Sequence, residues 1–344
     1  MRAQHVPDGT LHGISSPDET HARCTRRAFL SVLIPSVMLS TRAFAQPSGD
    51  LREQFRQRSE AAERAGLAEP FTGITTDGHV MPELFPIQST GVSTAPVRQA
   101  AEQFLAALTA EQRARTLFPV DDPEWRKWMN QHYYVRQGVS FLELSDAQRE
   151  AAFGLLRASL SAKGMQLTRN IMRLNETLAE LTNDHEFLGE GLYFITVMGQ
   201  PSATEPWGWQ FDGHHAIINY FVLGDQVVMT PHFAGSEPVL ATSGTYQDTV
   251  VLQEEQDQGL ALVQGLSDAH RQKAVLDVSK TGNNNLTEAF RDNIVLDYAG
   301  VRVAELPASQ RRQLIDLVQL YVGHMDEGHA QVKMAEVTRH LDHT

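Results

Sequence analysis

Trp207-Gly-Trp-Gln-Phe-Asp-Gly-His-His-Ala-Ile-Ile-Asn-Tyr-Phe-Val-Leu223, followed by Gly224-Asp225 and Gln226-Val-Val-Met-Thr230, is the stretch whose reading decides the fold. Aromatic and β-branched residues dominate both arms, and Gly-Asp between them suits a two-residue turn, so residues 207–230 read as a β-hairpin. Residues 192–198 have the same composition and supply a third strand before it.

Around this sheet the chain changes period. A short phrase recurs four times, at Leu108-Thr-Ala-Glu-Gln-Arg113, Leu144-Ser-Asp-Ala-Gln-Arg149, Leu266-Ser-Asp-Ala-His-Arg271 and Leu306-Pro-Ala-Ser-Gln-Arg311. In the first three, Thr or Ser caps the first free amides with Gln or His three residues on; in the fourth, Pro suits the first helical turn. Apolar residues at helical spacing follow, such as Phe153, Leu156 and Leu160, so these are four helix starts. Unequal gaps between the copies exclude a regular solenoid. The fold expected is α+β: a small antiparallel sheet with helices before and after it.

The N-terminus predicts export. Arg26-Arg27 stands directly before an apolar run at 29–39, and Ala43-Phe44-Ala45 is a small-residue cleavage pattern, so residues 1–45 read as a twin-arginine signal peptide. The run is too short to span a bilayer, which needs about 20 apolar residues. Cleavage removes five Arg and three acidic residues, taking the formal charge from −13 to −15. Cys24, the chain's single cysteine, leaves with the signal, so the mature protein has no thiolate nucleophile, disulfide or cysteine ligand. A surface this acidic repels nucleic acid and anionic lipid. The expectation is a periplasmic or secreted protein, delivered by the twin-arginine export machinery and without stable membrane association after cleavage. The mature part divides into residues 46–96, a charged helix and then a Gly/Pro-rich irregular segment, and residues 97–344, the main α+β domain.

HExxH, GxSxG, a phosphate-binding P-loop and GxGxxG after a strand are all missing from the sequence, which removes the commonest zinc peptidases, α/β-hydrolases, nucleotide hydrolases and dinucleotide enzymes as motif-supported readings. What remains is histidine. If Leu223 faces Gln226, paired positions sum to 449 and residue 217 faces 232. His215, Ile217, Asn219 and Phe221 then share one face, His232 joins it as a diagonal neighbour of His215, and His214 points the other way. Two imidazoles so placed can converge on one cation, with Glu237, five residues past His232, as a further ligand or general base. Zinc or copper suits imidazole and carboxylate ligation without cysteine. A histidine on a half-buried strand is also an ordinary hydrogen-bonded residue, and Pro231 signals that the ladder is ending there. His324 and His329, five apart, read as a polar helix end. His132 with Tyr133, Tyr134, Trp125 and Trp128 is a candidate pocket lining or a core cluster.

Trp207-Gly-Trp-Gln, Gly213-His214-His215 and Thr230-Pro231-His232-Phe233-Ala-Gly235, together with Gly199-Gln-Pro-Ser202 and the helix-start phrase, resemble a family of bacterial exported proteins known as domain of unknown function 3500. The resemblance supplies no catalytic assignment. Members of that family continue past the segment matching residues 337–344 into further strands with a His-x-His element, so the resemblance implies a chain that is truncated or divergent at Thr344. The leading expectation is a metal-dependent enzyme acting on a small substrate, with His215 and His232 as ligands and Glu237 as ligand or base. The alternatives are a non-catalytic binding protein that holds a small molecule with Trp207, Trp209 and His214, and a metal-free hydrolase working through paired carboxylates drawn from Asp212, Glu186, Glu190 and Glu237.

Overall fold

The computed structural model describes residues 49–82, 86–279 and 291–344; the export signal read over 1–45 and its Cys24 lie outside them. In chain order, α1 (Gly49–Gly66) leads to a short strand β1 (Ile74–Thr75). Helices α2 (Ala95–Ala107) and α3 (Ala110–Thr116) follow, then β2 (Leu117–Phe118) and β3 (Val139–Ser140). Next come α4 (Asp146–Ser159), α5 (Ala162–Thr182) and the strands β4 (Tyr193–Met198), β5 (Trp207–Gly213), β6 (Ala216–Leu223) and β7 (Gln226–Ala234). Helices α6 (Gln253–Gly265) and α7 (Asp268–Ala274), the short strand β8 (Ile294–Val295), and helices α8 (Ala308–Val322) and α9 (Glu327–His340) complete the described chain. Among the described residues no helix is long and apolar enough to cross a membrane.

The fold is α+β. The main sheet runs β2-β4-β5-β6-β7, with β3 also paired to β4; the β2–β4 pair is parallel and the others are antiparallel. The recurring phrase does start helices. Thr109 and Ser145 each close a capping box with the Gln three residues on, and Ser267 accepts from the His270 amide. Pro307 stands one residue earlier than expected, at the N-cap of α8 itself.

Side-chain alternation divides the sheet into two faces. Tyr193, Ile195 and Val197 of β4, Trp207, Trp209 and Phe211 of β5, and Ala216, Ile218, Tyr220 and Val222 of β6 enter one core with Phe104, Phe141, Leu155, Leu156, Ile171 and Leu174 from the helical side. Paired Trp209 and Tyr220 stack at 5.3 Å, as do Tyr193 and Phe211. A Cβ on Gly213 would lie 2.1 Å from the Tyr193 ring, so glycine there lets the ring lie flat on the strand end. The opposite face mixes apolar residues such as Ile217 and Phe221 with buried polar ones. Gln210 donates to Asn219 at 2.8 Å, Asn219 donates to the Trp125 carbonyl at 2.8 Å, and Asp212 takes Arg136 Nε at 3.1 Å and the Met129 amide at 3.2 Å. These bonds fasten the segment 119–137 across that face.

Two expectations about the sheet are corrected. Residues 207–223 are two strands, with His214-His215 as the turn between Gly213 and Ala216. Seventeen residues exceed the usual strand of about 5–6, and the break falls where Gly213 permits close packing. The 224–225 turn is as read, and Leu223 faces Gln226, but the register shifts between Ile218 and Tyr220, so Ile217 faces Phe233 and Ile218 faces His232. Pro231 is the physical reason: it lacks the N–H that the ladder needs, and the strand bulges there.

Candidate functional site

The bulge moves His232 to the face of Ile218, opposite to Ile217, and the 214–215 turn lifts His215 off the strand altogether. The expected convergence of His215 with His232 is therefore not formed. His232 contacts His324 instead, its Nε2 2.9 Å from His324 Nδ1. Trp207 and Trp209 are also corrected. Both are wholly buried in the core, with Trp207 Nε1 donating to the Ser202 carbonyl at 3.0 Å, so neither offers a face to a ligand.

What the hairpin does assemble is a different cluster. One nitrogen from each of His214 and His215 and one oxygen of Glu237 lie within 4.8 Å of one another, a group of donors able to hold a metal ion. His215 Nε2 stands 3.6 Å from Glu237 Oε2. The His214 and His215 rings are 4.0 Å apart, and His132, carried over the turn by the 119–137 segment, meets the His214 ring edge-on at 4.9 Å. The chain is held here by backbone bonds: the His215 amide donates to the Asn130 carbonyl at 3.0 Å, the Gly235 amide to the His215 carbonyl at 2.8 Å, and the Tyr193 hydroxyl to the His214 carbonyl at 2.8 Å. His215 adopts φ +63°, in the left-handed region that a non-glycine residue enters at a cost of roughly 1–2 kcal/mol.

The tautomer of His214 follows from its neighbour. Asn175 on α5 donates its amide N–H to the Gly189 carbonyl at 2.9 Å, which turns its oxygen to His214 Nδ1 at 2.8 Å. That oxygen only accepts, so Nδ1 carries the proton and Nε2 keeps a lone pair. Burial pushes the His214 pKa down to about 2, with the neighbouring His215 and His132 adding to the effect. It likewise takes His132 down to about 4 and lowers His215, where Glu237 opposes the shift. The site thus gathers neutral imidazoles, the protonation state that ligates metal. Glu237 is mostly solvent-exposed, so the cluster opens outward.

The other acids considered are placed elsewhere. Asp212 is buried under Arg136, and burial raises it to about 6. Glu190 accepts from the Tyr246 hydroxyl. His329 lies in the first turn of α9, its amide donating to the N-cap Asp326 at 3.2 Å, and His324 lies in the link before it; both are buried, so neither is the polar helix end expected. Sequence reasoning also missed Asn175, for which a mid-helix Asn gives no signal until its partners are known. Trp125 and Trp128 do line a cavity, of about 840 Å³, with Phe71, Arg126, Asn219 and Pro231.

Residues 90–344 match the family model described as Protein of unknown function (DUF3500), and the chain belongs to that family. No curated protein and no solved structure matches it.

Proposed function

We propose that this member of the family is a metal-dependent enzyme acting on a small substrate, with its reaction centre at the β5–β6 turn. The observation that carries the reading is the approach of His214, His215 and Glu237 donor atoms to within 4.8 Å. The Asn175 contact adds the outer support that ligating imidazoles usually have, holding Nδ1 and presenting Nε2. In this reading His214 and His215 are ligands, and Glu237, mostly exposed to solvent, is either the third ligand or the base that takes a proton from bound water. His132 closes the inner side of the site. Borderline ions such as zinc or copper suit the donors. Arg26-Arg27 and the cleavage pattern support delivery outside the inner membrane by the twin-arginine route, with a small molecule as the other partner.

Elemental analysis of protein matured through its own export route tests this. One equivalent of metal that the wild type holds and both His214→Ala and His215→Ala lack supports the reading; equal metal in all three sinks it. A second reading, a non-catalytic binding protein, is favoured by the Phe71–Trp125–Trp128 cavity, whose volume and mix of aromatic, apolar and charged lining residues suit a small organic ligand. Ligand uptake that is abolished by Trp128→Ala and untouched by His215→Ala would select it.

A further inference from the structure

The bulge that turns His232 away from His215 delivers it to a second set of groups, which the hairpin cluster does not use. His324, in the link between α8 and α9, faces it with Nδ1 2.9 Å from His232 Nε2. The His324 backbone is fixed from behind. Its carbonyl accepts from the Ser161 amide at 3.0 Å, and a Cβ on Gly164 would sit 2.2 Å from the same oxygen. On the far side of the ring, His324 Nε2 looks toward the buried carboxylate of Glu255 at 3.9 Å. The His232 ring has its own neighbouring acceptor, the Ile217 carbonyl. Neither outer nitrogen, His232 Nδ1 or His324 Nε2, makes a well-formed hydrogen bond among the described residues.

Counting protons makes this arrangement informative. A neutral imidazole has one N–H and one lone pair. Acceptors stand beside both rings on the outside, so each outer nitrogen is best matched to its surroundings when it carries the proton. The two inner nitrogens then present lone pairs to each other at hydrogen-bond distance, which is repulsive unless something positive lies between them. A metal ion satisfies both lone pairs. Two nitrogens at about 2.0–2.1 Å from a tetrahedral ion are about 3.3 Å apart, so the pair needs to open by only a few tenths of an ångström. A carboxylate behind a ligating histidine is the usual outer support.

We infer that His232 and His324 are two ligands of a second metal site, separate from the hairpin cluster, for zinc or copper, with Glu255 as the acceptor that orients His324. His232 also lines a groove of about 660 Å³ between β7 and the α8–α9 pair, with Met229, Tyr321 and Met325, which has room for water or a small anion to complete the shell.

The test is titration of chelator-treated full-length protein with zinc or copper alone, read by calorimetry and elemental analysis. Wild type is expected to take two equivalents, and the double variant His214→Ala/His215→Ala one. That remaining equivalent is lost in His232→Gln and bound about 10–100-fold more weakly in Glu255→Gln, which leaves both ligands in place. A double variant that binds nothing, a folded His232→Gln with wild-type stoichiometry, or an unchanged affinity in Glu255→Gln overturns the inference. Failure of the hairpin reading looks different: the double variant then binds as much as wild type.

Discussion

Acidification should unfold this protein earlier than its acidic composition suggests. His132, His232 and His324 are pushed down to about 4 and His214 to about 2, in every case chiefly by burial. Such a histidine takes up a proton in the unfolded chain but not in the folded one, so its contribution to stability is intact above about pH 6.5 and is lost as pH falls. Each group changes stability by up to about 1.4 kcal/mol per pH unit, or about 2 kcal/mol between pH 6.5 and 5, giving about 8 kcal/mol for four. Two buried carboxylates act in the opposite direction. Glu124, raised to about 8 by burial, and Asp212, raised to about 6, bind protons more readily when folded and stabilise as pH falls. Together they return about 5 kcal/mol between pH 7.5 and 5. His215 is lowered and His329 raised, so these two oppose each other, while Glu143 and Asp326, held low, titrate below the window. The histidines win by on the order of 3 kcal/mol, a large share of the roughly 5–15 kcal/mol that stabilises a typical domain. Urea unfolding of chelator-treated protein at pH 7.5 and pH 5 measures the difference. Stability that is level or higher at pH 5 would refute the claim that these imidazoles are buried and neutral.

Asn175→Ala should leave the His214 N–H without a partner, the Gly189 carbonyl keeping the Leu192 amide at 3.2 Å, costing roughly 1–3 kcal/mol in urea unfolding and weakening metal binding about 10–100-fold in the same protein. His215→Gly should be about 1 kcal/mol more stable than His215→Ala, because both delete the ring but only glycine relieves φ +63°; equal stability would deny strain at the turn. Arg136→Ala should cost about 3–5 kcal/mol, since it strands the buried Asp212 carboxylate and releases the carbonyls of Met129 and Gln131 that hold the segment under His132. Trp209→Ala should cost about 3–5 kcal/mol by emptying the core beside Tyr220; a loss of ligand binding without loss of stability would restore it to a binding surface.

Much of the fold was legible because it is written in local chemistry. Thr109, Ser145 and Ser267 cap helices through bonds made within three residues, and Gly224-Asp225 fixes the register as far as Tyr220 opposite Met229. Beyond that point a single residue changed the outcome. In the sequence Pro231 marks the end of a ladder, whereas the strand bulges around it and continues, flipping the face on which His232 lies. His214-His215 reads as strand because neither residue is a usual turn former; only the positive φ that His215 accepts makes the turn. The candidate site was therefore half legible. Histidines and Glu237 were the right chemistry, but which of them meet depends on partners distant in sequence, such as Asn175, 39 residues from His214, and His324, 92 residues from His232. No spacing rule reaches so far.

Metal content of the exported wild-type protein beside His214→Ala and His215→Ala tests the central claim most directly. The cluster at the β5–β6 turn predicts an equivalent of zinc or copper in the wild type that both variants lose while staying folded. A folded wild type that holds no metal and takes up neither ion at micromolar concentration would contradict it.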